Sequence, residues 1–393
     1  MDNNEVRKVL TFKSGEFVFS RKFSGDIPYK LIEAKVLLRT VIDLPILPNL
    51  VAKIEEEAII KSIFGTAAIE GNPLTEEKVA EILSKLKPEG SEKLKQAERE
   101  IINLKYAYDF ITTMPVTMDL SFPNRQGLLG AIGPGALTED IIKKIHSIVT
   151  KDIEHEYNIP GQYRNNIVKV GNEEHGGIYT PPKILEDIQT LMKEFIEWIN
   201  REEFLELDPM IRAALAHYHL GLIHPFADGN GRTARLVEAL LLRLSGIKYV
   251  PVMLSNFYYR NIDDYYWAFY NSINNKENDV TSFLQFGFKG LIESLNEIKD
   301  RITFYIRKFS LRHYYDLLRK EGDISQRQHD FLIMVLDHLK SFALKDLHIV
   351  SPLRILYSKV SSRTAIRDLK KLYDKKLLTV KDGKYELNFR ILG

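Results

Sequence analysis

The chain has 393 residues and no cysteine. That excludes disulfides and thiol chemistry and fits a reducing cytosol. Charge of one sign is also missing. Lys and Arg number 55 against 53 Asp and Glu, a formal net charge of +2, so no global field draws the molecule to nucleic acid or an anionic membrane. No apolar run is long enough to cross a bilayer. Residues 1–20 are polar and mixed in charge, with no signal-peptide core, so the expected location is cytoplasmic. No internal repeat or low-complexity tract stands out. The length accommodates two or three domains.

Against this even background one stretch is dense in chemistry: His224, Pro225, Phe226, Ala227, Asp228, Gly229, Asn230, Gly231, Arg232, Thr233, Ala234 and Arg235. Two helical patterns flank it. Upstream, Asp208 and Pro209 make a cap and a first-turn proline, and Ile211, Leu215, Tyr218 and Leu222 follow at helical spacing. Downstream, Leu236, Val237, Leu240, Leu241 and Leu244 form an apolar stripe ending at Gly246. The stretch is therefore a loop opening onto a helix N-terminus, whose free N–H groups suit an anion. Gly229 and Gly231 permit close backbone approach. Arg232 and Arg235 lie on one helical turn and suit a polyphosphate. Asp228 would repel bare phosphate, which makes sense with Mg²⁺ between them. His224 can accept a proton near neutral pH. A lone histidine before proline, or a lone Gly-x-Gly, is usually structural; the joint occurrence carries the argument.

The stretch resembles the signature of the Fic/Doc family, His-Pro-Phe-x-Asp/Glu-Gly-Asn-Gly-Arg-x-x-Arg, at every defined position. A second segment, Thr66 to Pro73, resembles the inhibitory helix of that family, Ser/Thr-x-x-x-Glu-Gly/Asn, through Thr66, Glu70 and Gly71. Gly71 and Pro73 stop a helix there and leave Glu70 in its last turn, where a carboxylate opposes the dipole and needs a cation. Arg232 and Arg235 are the candidates. The segment around it, from Tyr29 to about Leu86, reads as helical, punctuated by Pro45 and Pro48.

Further helices are expected over 91–114 and, after a Thr138-Glu139-Asp140 cap, to Thr150. Residues 115–135 read as a loop or linker. His146 and His155 lack partners at ligand spacing and read as packing or surface residues. Residues 167–170 alternate as a strand that 178–180 can pair with. In the resembled family the matching hairpin is a flap that docks an extended target segment, a task suited to a sheet edge. Tyr258, Tyr259, Tyr265, Tyr266 and Trp267 read mostly as core, but Tyr265 and Tyr266 resemble tyrosines around the family's nucleotide.

From residue 301 the pattern changes. Helices are expected over 304–319, 326–339 and 361–372, with a short helix–turn region at 344–347. A hairpin with an Asp382-Gly383 turn follows. The order resembles a winged helix. Residues 351–393 hold eleven Lys/Arg against four Asp/Glu, and Arg363, Arg367 and Lys370 could meet the phosphates of DNA or a protein partner.

The expected fold is mainly α: a helical bundle with a small hairpin flap and a C-terminal winged helix. The expected domains are 1–115 with an inhibitory helix near 61–72, a catalytic core over 116–300, and a linker helix with winged helix over 301–393. The resemblance implies transfer of AMP from ATP to a protein Ser, Thr or Tyr hydroxyl with Mg²⁺, and autoinhibition by Glu70. It implies His224 as base and Asp228 as metal ligand, with Phe226 anchoring the loop in the core. Nucleotide contacts are implied for Glu70, Val170, Gly171, Asp228, Gly229, Asn230, Gly231, Arg232, Thr233, Ala234, Arg235, Tyr265 and Tyr266. Self-modification is expected; a homodimer stays open. Three alternatives remain: removal of AMP with Glu70 activating water, transfer of another phosphate-containing group, and a DNA-binding regulator.

Overall fold

A computed structural model describes residues 7–13, 15–86, 95–114, 136–247 and 253–392. The linker expected over 115–135 and residues 91–94 of an expected helix lie outside them. The described chain is mainly helical, as expected, with three separate two-stranded antiparallel sheets. It divides into a unit of Met1–Asp43 and Val51–Lys299 and a unit of Leu44–Leu50 and Asp300–Gly393.

The first unit opens with an unexpected hairpin, β1 (Arg7–Phe12) and β2 (Gly15–Ser20). Its reason is visible in β2, where Phe17 and Phe19 alternate with exposed or half-buried residues and are themselves buried. Helices α1 (Ile27–Asp43), α2 (Pro48–Ile69), α3 (Glu76–Lys85), α4 (Gln96–Thr113) and α5 (Glu139–Val149) follow. Thr138 caps α5 by accepting from the Ile141 N–H at 3.2 Å. Next come β3 (Val170–Asn172), β4 (Gly177–Tyr179), α6 (Leu185–Ile199), α7 (Glu202–Leu205), α8 (Pro209–Ile223) and α9 (Asn230–Leu244). The expected strand over 167–170 reduces to its last residue. Arg164 Nη1 binds the Asn166 carbonyl at 2.8 Å and holds the backbone just before it, and Ile167 is exposed.

Helix α8 is buried on nearly every side, with Arg212, His217 and His219 hydrogen-bonded among its apolar residues, the pattern of a core helix. It packs against α9 and α6, while α4 and α5 pack against α9. Asp208 caps it, accepting from the Met210 N–H at 3.0 Å, with Pro209 in the first turn. Phe19 of the opening hairpin meets Trp198 of α6 and His219 of α8, with ring centroids 5.2 and 5.6 Å away. Helices α10 (Leu254–Arg260) and α11 (Ile262–Ile273) complete the region around the site.

The division between units falls within α12 (Thr281–Lys320). The second unit continues with α13 (Gln326–His338), α14 (Asp346–Ile349), α15 (Leu353–Tyr357) and α16 (Ser362–Asp374), then β5 (Leu378–Lys381) and β6 (Lys384–Leu387). Its own core includes Leu311, Tyr315, Phe331, Leu332, Leu369 and Leu372. Asp382 and Gly383 both have positive φ, 50° and 74°, as a tight hairpin turn requires. Phe342 bridges Tyr385 on the hairpin.

One close approach fixes α2. A Cβ added at Gly65 would lie 2.7 Å from both Asn256 Cα and Ser255 O, backbone atoms that cannot step aside. Gly65→Ala is therefore expected to lower stability by about 1–3 kcal/mol. Thermal unfolding checks this, and an unchanged melting temperature would show that α2 is not seated there.

Candidate active site

Between α8 and α9 the chain turns sharply. His224 ends α8 at φ 48°, and Gly229 precedes α9 at φ 74°. The second angle is cheap only for glycine, and a Cβ there would also lie 2.7 Å from Thr150 Cγ2. Asn230 closes the loop on itself. Its Oδ1 accepts from the Phe226 N–H at 2.9 Å and its Nδ2 donates to the Phe226 carbonyl at 2.7 Å. Phe226 is buried and stacks on His146, ring centroids 3.7 Å apart.

Two groups from outside the loop hold it. The Gly161 N–H donates to His146 Nδ1 at 2.9 Å, so the His146 proton sits on Nε2, which donates to the Asp228 carbonyl at 3.0 Å. Burial pushes this imidazole down to about 4, against the opposing pull of the Asp228 carbonyl. Arg164 is 2% exposed. Its Nε donates to the His224 carbonyl at 2.7 Å, its Nη2 to the Pro182 carbonyl at 2.6 Å, and its own N–H to the Pro225 carbonyl at 3.0 Å. Burial lowers its pKa to about 10, which leaves it a cation at neutral pH. No motif marks Arg164 in the sequence, because the His224 and Pro182 carbonyls it holds lie 60 and 18 residues further along the chain.

His224 has its Nδ1 3.1 Å from the Gly221 carbonyl. A carbonyl only accepts, so Nδ1 carries the proton and Nε2 keeps its lone pair. Burial pushes the group down to about 4, outweighing the Gly221 bond. Asp228 Oδ2 lies 2.7 Å from Arg232 Nη2. Burial opposes its ionisation, but Arg232 and the Gly229 N–H outweigh that and hold the carboxyl below its ordinary range. Arg235 is 3% exposed. Its Nη2 donates to Glu70 Oε1 at 2.6 Å and to the Thr66 carbonyl at 3.3 Å. Burial opposes its charge, and the Glu70 carboxylate more than restores it, so its pKa is raised.

These groups share a cavity of about 470 Å³. Glu70, His224, Asp228, Gly229, Asn230, Gly231, Ala234 and Arg235 line it from the loop side. Val170 and Gly171 of the flap hairpin and Tyr265 and Tyr266 of α11 line the other wall. Arg232, Thr233, Thr66 and Gly71 do not face it. Arg232 is spent on Asp228, and Thr66 offers Arg235 its carbonyl. The flap rests on α11: His175 Nε2 lies 2.8 Å from Asp263 Oδ1, and its ring 5.1 Å from that of Tyr266. His217 and Asn274 also line the cavity and carry no sequence signal, and Lys169, expected within the strand to face solvent, is exposed and lines the cavity as well. No motif marks His217, because its partners Glu238 and Tyr265 lie 21 and 48 residues away.

Comparison with known proteins bears on the fold and the domain. Residues 136–242 match the Fic/DOC family. A protein adenylyltransferase Fic from Culex quinquefasciatus is 30% identical over 283 residues, 70% of this chain and 48% of that protein. One from Drosophila ananassae is 31% identical over 234 residues, 59% of this chain and 40% of that protein. The protein adenylyltransferase fic-1 of Caenorhabditis elegans is 44% identical over 94 residues, 24% and 17% of the two chains. The chain thus spans about half, or less, of the length of these relatives. Among solved structures, a Fic family protein from Desulfovibrio desulfuricans G20 has the same fold, with a TM-score of 0.53 at 17% identity, covering 93% of this chain and 97% of that one. A Fic domain containing signaling protein from Bacteroides thetaiotaomicron gives 0.51 at 21% identity, covering 71% and 97%.

The buried imidazoles make the arrangement acid-sensitive. His146, His219 and His224 are each held near 4 by burial, against 6.5 when free. As pH falls, the unfolded chain takes up their protons first, so their contribution is complete above about 6.5 and is lost down to about 4. Between pH 7 and 5 each fully buried imidazole is expected to cost roughly 2 kcal/mol of stability. Urea unfolding of wild type and His146→Phe checks this: the variant keeps the stack on Phe226 and is expected to show a shallower pH dependence. Equal slopes would contradict the assignment for His146.

Proposed function

We propose that this chain, which carries a Fic domain over residues 136–242, transfers AMP from ATP to a Ser, Thr or Tyr hydroxyl of a protein and is held in check by Glu70. The observation that carries the reading is the Glu70–Arg235 pair at 2.6 Å, inside the same cavity as His224. Relatives named protein adenylyltransferase support the chemistry.

In this mechanism the target hydroxyl oxygen attacks the α-phosphorus as its proton passes to His224 Nε2. The bond from that phosphorus to the bridging oxygen breaks, and pyrophosphate leaves with the electron pair. The Nδ1–H bond to Gly221 fixes which nitrogen receives the proton. First-turn N–H groups of α9 have no acceptor within the helix, and they meet the charge that develops on the phosphate oxygens. Arg235 takes the γ-phosphate, and Tyr265 and Tyr266 flank the nucleotide.

Of the cavity-lining residues only Glu70 and Asp228 are carboxylates, and among the described residues no cluster of three or more candidate ligands exists. That donor set fits Mg²⁺, which binds through one or two carboxylates plus phosphate oxygens and water. Asp228 would hold it. When bound it neutralises charge on the phosphates.

While Glu70 holds Arg235, the γ-phosphate is refused its fork and the α-phosphate loses in-line geometry. The flap edge, Val170–Asn172, is the proposed dock for an extended target segment. The second unit is proposed as a winged helix. Arg363, Arg367 and Lys370 are exposed on α16, which supports contact with an acidic partner. A second reading, removal of AMP with water positioned by Glu70, is favoured by one fact: its carboxylate lines the cavity with the side chain 31% exposed.

Glu70→Gly is expected to raise adenylyl incorporation into the protein itself and its target. Adding His224→Ala should reduce it again by about 10²–10⁴ in rate. Intact mass of wild type, single and double variants reads the result. Equal incorporation by folded wild type and Glu70→Gly rejects the inhibitory role, and a net loss of adenylyl groups favours the second reading.

A further inference from the structure

The three side-chain bonds of the buried Arg164 all end on carbonyls, and those carbonyls belong to three separate stretches of chain. Nη1 donates to the Asn166 carbonyl at 2.8 Å, ahead of β3. Nη2 donates to the Pro182 carbonyl at 2.6 Å, after β4. Nε donates to the His224 carbonyl at 2.7 Å, where α8 ends. The flap therefore leaves and returns across one guanidinium, and another edge of that guanidinium holds the residue proposed as base.

A plain loop tie does not need a buried cation. Asn230 closes its own loop with one amide. Asn200 ties Leu137 in the same way, accepting from its N–H at 3.0 Å and donating to its carbonyl at 2.6 Å. A guanidinium adds a rigid planar fork whose donor directions are fixed. Three carbonyls bound to one such plane are held at fixed separations. One of them fixes the backbone of His224 at φ 48°, a left-handed angle that a residue with a side chain keeps only when its surroundings impose it. The other two fix both feet of the flap. The tip of the flap rests on α11 by side-chain contacts alone. His175 meets Asp263 there, and Gly176 lies so close to Tyr270 that a Cβ would run into the ring.

We propose that Arg164 is a positioning residue for the transfer: it sets the separation between the flap edge, where the target segment docks, and the His224 imidazole that takes the target's proton. Arg164 does not line the cavity, so it acts through the three carbonyls. The proposal rests on the reading of His224 as base and of Val170–Asn172 as dock. It differs from general stiffening in what it spares. Among the described residues Arg164 bonds none of the groups proposed to hold the nucleotide. Loss of the clasp misplaces the target hydroxyl against the base and leaves nucleotide binding in place.

Two variants test this. In Arg164→Gln the amide nitrogen takes the place of Nε and still reaches the His224 carbonyl, while both flap bonds are gone. Arg164→Lys keeps the charge but offers one nitrogen for three carbonyls. The chain has no cysteine, so spin labels on cysteines introduced at the exposed Lys169, beside β3, and the exposed Glu197, on α6, report the flap position by pulsed electron resonance without nucleotide. Both variants, folded by circular dichroism, are expected to broaden that distance distribution. Adenylyl self-incorporation is then followed in the Glu70→Gly background. Its rate is expected to fall, by about 10²-fold for a misplacement near 1 Å, with KM for ATP held within about twofold. An unchanged distribution in both variants, an unchanged rate, or a KM for ATP that rises in step with the loss of rate overturns the proposal. A broadened distribution with no incorporation by any variant, Glu70→Gly alone included, upholds the tie between flap and loop and rejects the transferase reading.

Discussion

The contact between Glu70 and Arg235 organises the rest of the site. A carboxylate at the end of α2 faces the negative end of that helix's dipole and would be unfavourable without a cation. Arg235, almost fully buried on α9, would be equally unfavourable without an anion. Each offsets the other. The approach also needs Gly231, since a Cβ there would run into the Glu70 carboxylate. The glycine proposed to open α9 to a phosphate therefore also admits the residue proposed to exclude it. Seating of α2 on the backbone at Gly65 fixes how far Glu70 reaches.

The loop itself does not depend on that contact. Asn230 braces it from within, and His146 and Arg164 brace it from outside through backbone carbonyls. Arg164 has carbonyl partners in place of a carboxylate, and His146 stays neutral, so neither brings in a negative charge that would repel a phosphate. The frame can persist while Glu70 moves. On the proposed reading, a site built this way separates preorganisation, supplied by the loop, from access, governed by one ion pair.

Much of this was legible in the sequence wherever a residue type answers a local backbone demand. Asp208 and Pro209 announce the start of α8, Thr138 the start of α5, and Asp382-Gly383 the last hairpin. The motif and the Glu70 segment were legible through resemblance, and the structure brings Glu70 and Arg235 together across 165 residues of chain. What stayed hidden depends on distant partners. His217 carries no signal of its own in the sequence, because the cavity it lines is closed by residues from other elements. The opening hairpin was hidden because its strands earn their place by packing Phe19 on α6 and α8. The strand over 167–169 failed because alternation cannot show that Arg164 has claimed the Asn166 carbonyl. Arg232 was matched to phosphate, and its tie to Asp228 lay within the motif but could not be chosen over that match from sequence.

The central claim is that Glu70 and the γ-phosphate compete for Arg235. The most direct measurement is calorimetric affinity for ATP and for ADP, with Mg²⁺, in wild type and Glu70→Gly. ADP lacks the γ-phosphate, so the ratio of the two affinities isolates the disputed fork. The account predicts that the preference for ATP over ADP rises by about tenfold or more when Glu70 is removed. The same ratio in both folded proteins would contradict it.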